Sequence, residues 1–160
     1  GGMASVVSQA LNYNGTQNTT SGTSVDNTSI PAWAKRITIA FNRVSTSGTS
    51  NLLLQLGAGG LVTTGYSGES SMATTAVFNS TGLALTAGVT ATNQASGVIT
   101  LIHVGSNIWV SSGVLANTDT NYMNVSAGAI TLTAQLDQIR LTTVGGTDTF
   151  DNGSITYLVE

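Results

Sequence analysis

Apolar and polar residues alternate along most of this chain with a period of two, and nowhere do they sustain the 3.6 period of a helix. The clearest case is 36–43, RITIAFNR. Ile37, Ile39 and Phe41 share one side, and Arg36, Thr38, Ala40 and Asn42 share the other, as in a half-buried strand. Turn residues 45–50 follow, then the more continuous apolar run NLLLQL at 51–56, a glycine-rich turn at 57–60 and a short strand candidate at 61–66. Further strands are predicted at 98–104, 107–111, 131–134, 138–142 and 154–159. Gly105-Ser106 separates two of them, and a two-residue loop with glycine first suits a type II′ hairpin. The best helical window, IPAWAKR at 30–36, is long enough for one turn and too short to stand alone. Short strands with Gly and Asn turns at intervals of about ten residues predict an all-β fold, an antiparallel, jelly-roll-like β-sandwich.

The segment 12–29, NYNGTQNTTSGTSVDNTS, has Asn, Gly and Thr at turn-forming density and reads as a loop or an irregular edge segment. The predicted organisation is a polar, partly irregular stretch at 1–29 followed by one sandwich domain at 30–160. Gly1-Gly2-Met3 reads as an appended cloning remnant or as the cut edge of a longer chain, and stays outside the fold reasoning.

Composition narrows the function. Charged residues are 7% of 160, with 4 Lys+Arg against 7 Asp+Glu, a formal net charge of -3. Gly, Ser, Thr and Asn make up about half of the chain, far above ordinary usage. Four cations cannot neutralise a run of phosphates, so no nucleic-acid partner is expected. With 0 Cys there is no disulfide scaffold, thiolate zinc site or Cys nucleophile. With 1 His, a multi-His metal site is impossible and a Ser-His-Asp triad has one candidate base. No apolar run approaches the ~18 residues of a membrane-spanning helix, and no basic-then-apolar leader opens the chain, so neither membrane insertion nor a cleavable signal is expected. The expectation is a non-enzyme with no catalytic residues, no metal ligands and no cofactor. Few charges also means few edge protectors, since 1 Pro and a single Lys are what the chain has to blunt its strands. That deficit points to a homo-oligomer whose subunits cover the neutral surface.

Several phrases carry a resemblance. Ile30-Pro31-Ala32-Trp33-Ala34-Lys35-Arg36-Ile37-Thr38 runs into an apolar alternation. Val44-Ser45-Thr46-Ser47-Gly48-Thr49-Ser50-Asn51 runs into Leu52-Leu53-Leu54-Gln55-Leu56-Gly57. Thr64-Gly65-Tyr66 follows, and the chain closes on Gly146-Thr147-Asp148-Thr149-Phe150-Asp151-Asn152-Gly153-Ser154-Ile155 and Glu160. Together, over residues 30–160, they resemble the C-terminal domains of bacteriophage tail-fibre and related virion surface (adsorption) proteins. The resemblance implies a homotrimeric all-β distal module of a virion appendage. Its partners would be other copies of itself, other virion proteins, and a host surface glycan or outer-membrane receptor. A head-surface fibre or capsid decoration protein is the other virion reading. Trp33, Leu53 and the Tyr157-Leu158 pair are the candidates for the subunit interface.

Candidate ligand contacts lie where aromatic rings stand beside short polar side chains, the chemistry that carbohydrate recognition uses. Tyr66 and Glu69 belong to YSGESS at 66–71, and Asp119 and Tyr122 to NTDTNY at 117–122. Trp109 alternates with Ile108 and Val110. If those two are core, its indole faces outward and can stack on a sugar; a second buried face or a subunit interface is the other reading. Trp33, inside a structural phrase, reads as a core or interface aromatic. His103, in phase with Ile99 and Leu101, reads as a packing residue. Asp148, Asp151 and Asn152 lack the spacing of an EF-hand, so DNG at 151–153 reads as a turn before it reads as a calcium site.

Overall fold

The computed structural model describes residues 11–118, 120 and 122–160. Twelve strands and no helix occur among them: β1 (Asn12–Asn18), β2 (Val25–Asn27), β3 (Arg36–Thr46), β4 (Leu52–Gly57), β5 (Ser67–Met72), β6 (Thr75–Asn79), β7 (Leu83–Ala84), β8 (Ala95–Gly105), β9 (Ile108–Asn117), β10 (Met123–Thr131), β11 (Gln138–Thr143) and β12 (Phe150–Val159). All pairings are antiparallel. Eight strands form one sheet in the order β1-β12-β3-β8-β9-β10-β5-β6, and four form a second in the order β2-β11-β4-β7.

The alternation predicted for β3 is the alternation observed. Ile37, Ile39 and Phe41 are buried. Ile37 stands opposite Leu101 of β8 and Val159 of β12, and Ile39 opposite Ile99 and Tyr157, so the inner face of the large sheet is a grid of cross-strand apolar pairs. The smaller sheet contributes Leu54 and Leu56 from β4 and Ile139 and Leu141 from β11 to the same buried cluster. Two sheets sharing one apolar core make a sandwich-like all-β domain.

A glycine pair lets the two sheets approach. Gly68 of β5 and Gly128 of β10 face each other in register. A Cβ on Gly68 would lie 2.4 Å from the Gly82 carbonyl oxygen, and one on Gly128 would lie 2.7 Å from Leu83 Cδ2. The bare backbones at these positions admit the short strand β7 against the large sheet.

Three local expectations are corrected. The β8–β9 loop is Ser106-Asn107, with φ of 52° and 58°, so both central residues are left-handed and the turn is of the I′ kind, with Gly105 closing β8. Residues 12–29 are not outside the sandwich: β1 lines one edge of the large sheet, with a bulge between Tyr13 and Gly15, and β2 edges the small sheet. Leu53 and Tyr157 are buried within the chain, 1% and 0% exposed, so neither side chain is available to a neighbouring subunit; Trp33, at 39%, is. The 30–36 window makes one turn, closed by the Ala34 amide on the Pro31 carbonyl at 3.1 Å.

Candidate functional site

Strands β10, β5 and β6 end the large sheet, and their outward positions form one open groove. Register places Ala127, Glu69 and Phe78 in one cross-strand row and Val125, Ser71 and Ala76 in the next. These six side chains line a concavity of about 480 Å³. Its chemistry is mixed. Phe78, on the edge strand, is 63% exposed. The Glu69 carboxylate beside it has no hydrogen-bonding or ionic partner among the described residues. Ser71, Ala76 and Ala127 keep the floor low. An open aromatic face next to an unengaged carboxylate suits a sugar ring, whose C–H face stacks on the phenyl while its hydroxyls donate to the carboxylate. The β5–β6 hairpin that holds the pair turns on two residues, with Ala73 at a φ of 51°.

Of the residues singled out from the sequence, the structure brings Glu69 alone into this groove. Tyr122 is exposed and precedes β10, roughly 10 Å along the strand from Val125 at 3.4 Å per residue. Asp119 lies outside the described residues. Tyr66 and Trp109 are corrected: both are core residues, 2% and 3% exposed. The Tyr66 hydroxyl accepts from the Leu56 amide at 2.7 Å and approaches the carbonyls of Val62 at 2.7 Å and Leu56 at 3.2 Å. Burial, partly opposed by the hydrogen bond from Leu56, pushes its phenol up to about 12. Trp109 faces inward because the phase of β9 is the reverse of the one its Ile and Val suggest. Across from the large Ile99 and Leu101 of β8, β9 places Gly113 and Ser111, so Val110 and Val114 fall on the outer face. Phe78 carried no sequence signal beyond its place in TAVFN, where the alternation also permits a buried ring.

From the groove one uncharged row crosses the outer face of the large sheet. Val125, Val114 and Val98 stand side by side on β10, β9 and β8, followed by Ala40 of β3, and the three valines are 53%, 41% and 46% exposed.

The acidic turn near the C-terminus is engaged in loop structure. Asp148 accepts from the Ser50 amide at 2.9 Å, and Asn152 donates to the Arg43 carbonyl at 2.8 Å. Among the described residues no group of three His, Asp or Glu side chains is placed to hold a metal ion. No family model, curated protein or solved structure matches the chain.

Proposed function

We propose that this chain is a bacteriophage virion structural protein, a distal tail-fibre module without catalytic activity that binds the host cell surface and takes a glycan in the Glu69–Phe78 groove. The observation that carries this reading is the exposed phenyl beside an unpartnered carboxylate, on an edge that is otherwise small and uncharged. An exposed aromatic face beside a carboxylate is a surface on which a sugar ring can stack while its hydroxyls reach an acceptor. The jelly-roll-like sandwich, the homotrimer and the virion location belong to the same reading, on the strength of the phrases in 30–160 and the charge-poor composition. A glycan array probed with the labelled intact chain tests it. A defined set of glycans should be retained, and both Phe78→Ala and Glu69→Gln should lose that set. No retention by the unaltered chain refutes the glycan ligand.

The row Val98–Val114–Val125 favours a second reading, a head-surface fibre or decoration module whose role is mainly structural. A neutral β-branched row is what a second copy of the same chain can pack against, because no charge has to be desolvated. An array without binding, from a chain that sediments as an oligomer, selects this alternative.

A further inference from the structure

A second concavity lies at the other surface of the large sheet, where the β8–β9 hairpin meets the segment leading into β3. Lys35, His103, Asn107 and Gln135 supply its polar groups, and Ala32 and the buried Leu136 and Trp109 supply its walls. It measures about 240 Å³, below the roughly 300–1,000 Å³ of pockets for drug-sized ligands, and is suited to one small ring.

Its polar groups are fixed in place. The Lys35 amide donates to the Glu160 carbonyl at 2.7 Å, and the Lys35 carbonyl accepts from the His103 amide at 2.8 Å, so the backbone of this lysine is clamped from both sides. The His103 ring packs on Trp109 with centroids 5.1 Å apart. Lys35 Nζ lies 3.4 Å from His103 Nδ1. An ammonium has no lone pair and only donates. With His103 Nδ1 taken up by this contact, Nε2 is the ring nitrogen left to meet a ligand, and it has no partner among the described residues. Gln135 donates to the Ala32 carbonyl and closes one side. Asn107 is held in the left-handed turn, its carbonyl accepting from the Leu132 amide at 2.9 Å.

No acidic side chain among the described residues lines this cleft. Arg36 is paired with Glu160 and Arg140 with Asp26, while Lys35 has no ion pair among the described residues. In a chain of net charge -3, a cation left without a counterion, beside an unengaged ring nitrogen and two amide side chains, is arranged to receive an anion. We infer that this cleft binds the carboxylate of a small acidic sugar, a hexuronate-sized ring, with Lys35 and His103 Nε2 on the carboxylate and Asn107 and Gln135 on ring hydroxyls. The site is separate from the Glu69–Phe78 groove, and either can fail without the other.

The test is an NMR titration of the intact chain with D-glucuronate, D-glucose and acetate. Glucuronate should give saturable amide shifts at Lys35, His103 and Asn107 while the amides of Glu69 and Phe78 stay still. Its affinity should exceed that of glucose and of acetate at least tenfold. Lys35→Gln should weaken glucuronate tenfold or more, the scale of losing one charged hydrogen bond, while Lys35→Arg should stay within about threefold, since it keeps the cation. Lys35 is exposed, so neither substitution threatens the fold. No saturable shift, equal shifts with glucose, equal affinity for acetate, or unchanged binding by Lys35→Gln would each overturn the assignment.

Discussion

Replacing Tyr66 by Phe removes one oxygen atom, and the structure says what that atom holds. The phenol accepts from the Leu56 amide at 2.7 Å and donates into the carbonyls of the 56–62 turn. The ring itself is core, so Phe keeps its packing. What is lost is the acceptor of a buried N–H, an orphaning that costs about 1–3 kcal/mol, together with one ordinary hydrogen bond of about 1 kcal/mol. The expected destabilisation is about 2–4 kcal/mol. For a chain of this size that lowers the Tm by roughly 6–12 °C. Tyr157 is the internal control. It is equally buried, but its hydroxyl has no hydrogen-bond partner among the described residues. Removing an unpartnered buried hydroxyl relieves a desolvation cost, so Tyr157→Phe should be neutral or stabilising by up to about 1 kcal/mol. Paired urea melts and calorimetry on the two variants measure the difference. If Tyr66→Phe costs no more than Tyr157→Phe, the hydroxyl of Tyr66 does not organise the turn, and the assignment of that ring to structure fails.

The same phenol makes stability depend on alkaline pH. An unfolded tyrosine ionises near 10, whereas buried Tyr66 holds its proton to about 12, so the folded state binds more protons across that window and stability should fall as pH rises from 10 to 12; denaturant midpoints across that range check it, and Tyr66→Phe should flatten the fall. Gly68→Ala should destabilise by about 1–3 kcal/mol, the usual cost of overpacking, because its Cβ meets the Gly82 carbonyl at 2.4 Å; thermal melts check it, and a neutral result would mean that β7 is free to shift. Val114→Lys, at the centre of the valine row, should dissociate the proposed trimer from three times 16.2 kDa to a folded monomer by light scattering, since a lone exposed substitution costs a monomer no more than about 0.5 kcal/mol; an unchanged mass would move the interface to another face.

The strands were legible where each carries its own alternation. β3 needed only Ile37, Ile39 and Phe41 to declare its buried side, and the continuous apolar run at 51–56 marked β4 as a strand but not the burial of Leu53 within the chain, which the second sheet decides. Phase was lost where burial is decided by the neighbouring strand. On β9 the inner positions hold Ser111 and Gly113 because Ile99 and Leu101 opposite already fill the space, so the larger residues of β9 sit outside and Trp109 sits within. The edge strands β1 and β2 were hidden by composition. Their Asn, Gly and Thr residues make turns in isolation, and only pairing with β12 and β11 makes them strands. Glu69 was legible as a polar residue beside turns, but Phe78 was not, since the groove exists only once β6 folds back on β5 and β5 pairs with β10. The cleft at Lys35 joins residues nearly seventy positions apart on separate elements, which no local pattern encodes.

The scarcity of charge is uneven, and its distribution connects fold to function. Arg36 pairs with Glu160 and ties the end of β12 to the start of β3. Arg140 holds Asp26 through two parallel hydrogen bonds of 2.7 and 2.9 Å, securing a β2 strand too short to be secured by its backbone pairing alone. Asp148 and Asp137 cap the amides of Ser50 and Gly59 in loops. These are fastenings at edges and turns, where a neutral side chain of the same size would leave a strand end or an amide loose. Arg43 and Asp151, which have no ion pair among the described residues, line neither concavity. Glu69 and Lys35 differ from all of these. Each is a single charge in a hollow with no ion pair among the described residues, Glu69 among small and apolar side chains and Lys35 beside His103, Asn107 and Gln135, and the two have opposite sign and lie on different surfaces of the same sheet. Neither has an ion pair among the described residues to account for its place, and that is the physical ground for proposing ligands for both hollows, as the uncharged character of the valine row between β8 and β10 is for proposing a contact with another copy of the chain.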